Sequence, residues 1–94
     1  MLFIATLKHS PENCLARPEN QDAFKAIQEH SKDLDKLQKE TGVKLHGSYV
    51  CPNEHTFYFI LETDDFTGVR KYLGDDMLIR HTAKITPVYK LRSE

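Results

Sequence analysis

A chain of 94 residues with 39% hydrophobic and 29% charged side chains has room for one hydrophobic core, and so for a single domain over 1–94. Its formal net charge of −1 supplies neither the basic footprint of a nucleic-acid binder nor a polybasic membrane patch, and no apolar run is long enough to span a bilayer. The opening MLFIATLKH reads as a strand rather than a basic leader, and the two cysteines then point to reduced thiols in a cytoplasmic setting.

In chain order, Leu2 to Lys8 is a compact run with β-branched Ile4 and Thr6, the signature of a first strand. From His9 to Arg17 the pattern breaks at Ser10, Pro11 and Asn13, giving a connection longer than the usual length of roughly 4–6 residues. Pro18 suits the first turn of a helix, with Glu19 and Asp22 well placed for its dipole. Apolar Ala23, Ile27, Leu34 and Leu37 then predict one amphipathic helix from Asn20 to Glu40, stopped by Gly42. Its other face mixes Lys25, Lys32, Lys36 and Lys39 with Glu29 and Asp33, which is a solvated surface rather than a phosphate-binding one.

Val43 to Glu62 is the strongest local signal. Two β-rich runs flank a breaker holding Pro52 and Asn53, so the stretch predicts an antiparallel hairpin with Cys51, Glu54 and His55 at its tip. Thr63-Asp64-Asp65 then supplies a cap for a short helix that turns Phe66, Val69 and Tyr72 or Leu73 inward and ends at Gly74. Asp75-Asp76 reads as a solvated turn. Met77 to Leu91 reads as a last strand, with Pro87 favouring an edge position.

Strand, helix, strand, strand, helix, strand is the split βαβ order of a ferredoxin-like α+β domain. Right-handed crossovers put the first and third strands in the centre, the fourth beside the first and the second beside the third, with two helices on one face. Alternation puts Phe3, Ala5, Leu7, Leu45, Phe57, Phe59, Leu61, Ile79, Ala83 and Ile85 under the helices. The alternate set is Leu2, Ile4, Thr6, Lys8, His46, Ser48, Val50, Tyr58, Ile60, Arg80, Thr82 and Lys84. That second set is too apolar to stand bare and too polar for a dry core. A second sheet enclosing a partly polar cavity fits it best, and a one-residue bulge in any strand would swap its faces.

FIATLKHSPENC (Phe3–Cys14), GSYVCPNEHTFYFILE (Gly47–Glu62) and HTAKITPV (His81–Val88) resemble motifs of a small bacterial and archaeal family of unknown function in the dimeric α+β barrel superfamily. The resemblance implies a homodimer whose two sheets close a barrel. It implies no particular chemistry, because that superfamily contains cofactor-free monooxygenases, muconolactone-type isomerases, haem-binding degraders and ligand sensors.

Two constellations follow. The end of the first strand, the hairpin tip and the start of the last strand share one sheet edge, which gathers His9, His55 and His81, with Cys14 and Cys51 within reach. Imidazole and thiolate are transition-metal ligands, and three histidines with an open position suit a catalytic metal. The plainer role for such histidines is to hold backbone carbonyls at the loop edge. His55 beside Glu54 could equally act as a general base, and either His9 or His55 could activate a thiol.

The second constellation is the barrel-facing set Thr6, Lys8, His46, Tyr58 and Thr82. There His46 could move a proton, Tyr58 could donate to an oxyanion, and Lys8 or Arg80 could hold a carboxylate. Cross-strand stabilisation of a dimer is the plainer role for these residues. The expected protein is therefore a homodimer that binds a small molecule between its sheets and needs no resident cofactor. The alternatives are a cofactor-independent isomerase or monooxygenase using His46 or His55, and a transition-metal binder using His9, His55 and His81.

Overall fold

In the computed structural model, which describes residues 1–92, four strands form one antiparallel sheet. They are β1 (Leu2–Lys8), β2 (Lys44–Cys51), β3 (Thr56–Glu62) and β4 (Thr82–Val88), in the order β2-β3-β1-β4. This is the arrangement that right-handed crossovers require, and the α+β architecture is compatible with a ferredoxin-like fold. Pairing of Phe3 with Leu61, Ala5 with Phe59 and Leu7 with Phe57 puts these residues on one face. There they meet Leu37, Val69, Tyr72, Leu73 and Met77 from the helices in a single core cluster.

Each helical segment is broken in two. The first splits into α1 (Gln21–His30) and α2 (Leu34–Thr41), because Asp33 accepts the Lys36 N–H at 3.1 Å and starts a new helix. Gly42 ends α2 in the left-handed region at φ 69°, as its position in the sequence suggested. The second segment splits into α3 (Phe66–Leu73) and α4 (Asp75–Arg80) at Gly74, whose φ of 84° is available to glycine.

Helix α4 corrects the expected start of the last strand, which begins at Thr82 rather than Met77. Met77 continues the helical stripe of Val69, Tyr72 and Leu73 into the core, whereas Ile79, expected beneath the helices, is 84% exposed. Arg80 lies on α4 and donates to Asn20 Oδ1 at 3.3 Å instead of facing a barrel. Asp75 and Asp76 form the first turn of α4, where carboxylates complement the helix dipole. Phe66 is not turned fully inward; it is exposed and sets its ring edge-on to Phe3 at 5.9 Å.

A bulge in β2 makes the other correction. Leu45 pairs with Leu61, but Gly47 pairs with Ile60, so His46 is the extra residue and every later position changes face. Ser48 and Val50 thereby join the helix side opposite Phe59 and Phe57, and Tyr49 takes the uncovered face opposite Tyr58.

Candidate functional site

The helix side of the sheet runs out at the edge where β1 ends, β3 begins and β4 begins. His9 follows Lys8, and its backbone N–H donates to the His55 carbonyl at 3.1 Å. His55 ends the hairpin turn at φ 51°, an uncommon conformation for a residue other than glycine. The ring centroids of His9 and His55 are 5.2 Å apart, and those of His9 and His81 are 4.9 Å apart, both edge-on. Phe57 packs against His9 and His81 at 5.9 and 5.6 Å. The three histidines predicted to share an edge do share it.

Their hydrogen bonds rank them. A carbonyl only accepts, so the 2.6 Å contact between His81 Nδ1 and Met77 O puts the His81 proton on Nδ1. Burial, and to a lesser degree the Arg80 charge, push the His81 pKa down against the opposing effect of that carbonyl, which keeps the ring neutral. Its Nε2 is then an acceptor, and His9 Nδ1–H donates to it at 3.0 Å. The lone pair of His9 is left on Nε2. That nitrogen is buried and has no hydrogen-bond partner among the described residues. Burial first, then the neighbouring His81 and His55, lower the His9 pKa, so this nitrogen stays unprotonated near neutrality.

Cys14 joins the edge from the long loop, which is ordered by two amides. Asn20, buried at the entry to α1, donates from Nδ2 to Glu12 O at 2.8 Å and to Cys14 O at 2.9 Å. Gln21 Nε2 reaches Leu15 O and Arg17 O, both at 3.2 Å. The loop is thus tied down on both sides of the thiol. His9, Cys14 and His55 each offer one ligand atom, and these lie within 4.8 Å of one another.

The metal-ligand set read from the sequence was His9, His55 and His81. His81 instead stands behind His9 with both ring nitrogens occupied, and Cys14 completes the group of three. The plainer role of holding a backbone carbonyl is what His81 performs at Met77. Cys51 lies nearby on β2 as a second free thiol but is outside the group.

His9, Cys14 and His55 line a cavity of about 400 Å³ whose other walls are Leu15, Ala16, Gln21, Phe24, Val50, Pro52 and Phe57. A larger, open hollow of about 580 Å³ lies elsewhere, walled by Asp35, Lys39, Lys44, Glu62 and Asp64 among others, with neither histidine nor cysteine. The smaller of these two holds the histidines and the thiol.

The second predicted constellation does not converge in the same way. Thr6 pairs with Tyr58, and Lys8 with Thr82, so these four do share the uncovered face. His46 stands at the other end of the sheet, exposed, with its Nε2 2.6 Å from Glu62 Oε1. The His46 contact holds the Glu62 carboxyl below its usual range. His30, given no role by the sequence, caps α3 by donating from Nε2 to the carbonyls of Tyr72 and Lys71 at 2.8 and 3.1 Å.

A four-stranded antiparallel sheet backed by short helices, with a His/Cys/His group at one edge, places the chain among small α+β domains that could hold a metal ion. The family model described as a domain of unknown function (DUF3303) matches residues 1–91, and the chain belongs to that family. No curated protein matches it. No described helix is long and apolar enough to cross a membrane.

Proposed function

We propose that the protein binds a transition-metal ion through His9 Nε2, Cys14 Sγ and His55, leaving one coordination position open to the cavity. The observation that carries this reading is the buried, unpartnered Nε2 of His9. An orphaned polar atom in the interior costs about 1–3 kcal/mol, and a metal would satisfy it. The tautomer that frees this nitrogen is fixed by donation from Nδ1, the arrangement that commonly orients a metal-bound histidine.

Two imidazoles and a thiolate suit zinc or copper, and three protein ligands with an open place are the pattern of a site that binds something further. A tetrahedral zinc site would hold its ligand atoms about 3.3–3.6 Å apart. The three ligand atoms already lie within 4.8 Å of one another, so metal binding would draw them together by at most about 1.5 Å. Metal analysis and competition titration on untagged protein test the reading. It requires about one ion per chain, lost in His9→Ala and in Cys14→Ser. Absence of uptake of zinc, copper, nickel and iron would overturn it.

A second reading concerns assembly, and the uncovered sheet face supports it. Leu2, Ile4, Tyr58, Ile60 and Val88 are only half-buried there, with Tyr49 exposed beside them. A second copy laid on this face would cover them and close a barrel-like dimer. Thr6, Lys8, Tyr58 and Thr82 would line the space between the sheets, a place for a small polar ligand. Light scattering distinguishes a dimer from a monomer of 10.9 kDa.

A further inference from the structure

The walls of the edge cavity say what kind of molecule would fill the open coordination position. Apart from His9, Cys14 and His55, they are Leu15, Ala16, Phe24, Val50, Pro52, Phe57 and Gln21. Among the described residues, no lysine, arginine, aspartate or glutamate lines the cavity. The Gln21 amide N–H groups are turned to the carbonyls of Leu15 and Arg17. A ligand entering here therefore meets polar groups at one spot and hydrocarbon almost everywhere else.

A phosphate, a carboxylate or a sugar could put one oxygen on the metal, but its remaining polar atoms would face hydrocarbon and lose hydration with no compensating partner, at a cost of several kcal/mol. An apolar body loses nothing and gains contact. Size sets a further limit, since a cavity of about 150 Å³ accommodates a benzene ring and the present one is less than three times as large. A hollow of about 270 Å³ lined by Ser48, Tyr49, Val50, Phe57, Phe59 and Met77 shares Val50 and Phe57 with it, extending the apolar floor along β2 and β3.

From these walls we infer that the site takes a small, uncharged, apolar molecule carrying a single nitrogen or sulfur donor. The donor completes the coordination of a metal at His9, Cys14 and His55, and a ring or short hydrocarbon body lies against Phe57, Phe24 and Val50. The inference rests on the metal reading above and adds the ligand class to it.

The test uses untagged protein loaded with Co2+, whose visible absorption reports coordination number and whose near-ultraviolet absorption reports a thiolate ligand. Imidazole and 4-phenylimidazole are titrated separately; they present the same donor and differ by one phenyl ring. Both should perturb the visible bands, and 4-phenylimidazole should bind at least ten-fold more tightly. Phe57→Ala should remove most of that preference. Phe24→Ser, a change at a partly exposed position, should reduce it without threatening the core.

If Co2+ gives no thiolate signature, the metal reading and the ligand class fall together. If it binds with that signature but the two imidazoles bind alike, or neither binds, the ligand class is wrong and the metal site stands. If 4-phenylimidazole binds metal-free protein as tightly as the Co2+ form, the single-donor anchor is wrong.

Discussion

Replacing His81 with alanine removes the acceptor that fixes the His9 proton on Nδ1. The His9 ring can then rotate and change tautomer, so its Nε2 lone pair is no longer held ready. Metal stoichiometry should survive while affinity falls about 10–100-fold, the usual cost of losing a partner behind a metal-binding histidine. Competition against a chromophoric chelator reads this directly; an unchanged affinity would show that His81 only packs.

The same two rings make the metal-free protein sensitive to acid. Their pKa values are lowered in the folded state, so unfolding exposes histidines that take up protons as pH falls through the ordinary value of about 6.5. The unfolded chain binds more protons there, and stability should drop between about pH 7 and 5. Urea denaturation across that range should show the fall, and His81→Phe should flatten it. Much of this was legible in the sequence, because strand parity and topology sufficed to put His9, His55 and His81 on one edge. The sequence put Cys14 within reach of that edge, but the tautomer chain and the place of Cys14 rather than His81 in the group of three were not legible. They depend on side-chain directions, and on Asn20 folding the loop back, which no local pattern announces.

At the scale of elements, two glycines separate the cost of backbone conformation from the cost of contact. Gly42 has φ 69°, and a Cβ there would meet open space, so Gly42→Ala should cost only the left-handed penalty of about 1–2 kcal/mol. Gly74 has φ 84°, and a Cβ there would come within 2.9 Å of His30 Nε2, the group that caps α3. Gly74→Ala should therefore destabilise the protein by more than Gly42→Ala, and parallel urea unfolding curves compare them.

The sequence pattern failed where two elements share one period. The apolar stripe of Ile27, Leu34 and Leu37 reads straight through Ser31-Lys32-Asp33, although Asp33 is a good cap and breaks the helix there. Met77 and Ile79 alternate as in a strand, but Met77 also lies one helical repeat beyond Leu73, and burial decided for the helix. The bulge at His46 left no mark that alternation could register, since Ser48, Tyr49 and Val50 fit either face.

On the scale of the molecule, the two proposed functions fall on opposite faces of the sheet. His9, His55 and His81 share the parity of Leu7, Phe57 and Ala83, the helix side, whereas Ile4, Tyr58 and Ile60 share the uncovered side. A dimer built on the uncovered face would therefore form at a distance from the proposed metal ligands and leave their edge open. Ile60→Glu places a charge among half-buried apolar neighbours in the middle of that face, opposite Ile4. In a dimer the carboxylate would be buried unpaired, a penalty of several kcal/mol and large enough to dissociate an interface of ordinary strength. In a monomer the same side chain would simply meet water. Light scattering should therefore show twice the single-chain mass for the parent and the single-chain mass for Ile60→Glu, with metal affinity unchanged between them. A parent protein that is already monomeric at micromolar concentration would leave this face without a second copy. A variant that loses its metal on dissociating would show that the two faces are coupled through the sheet rather than separate.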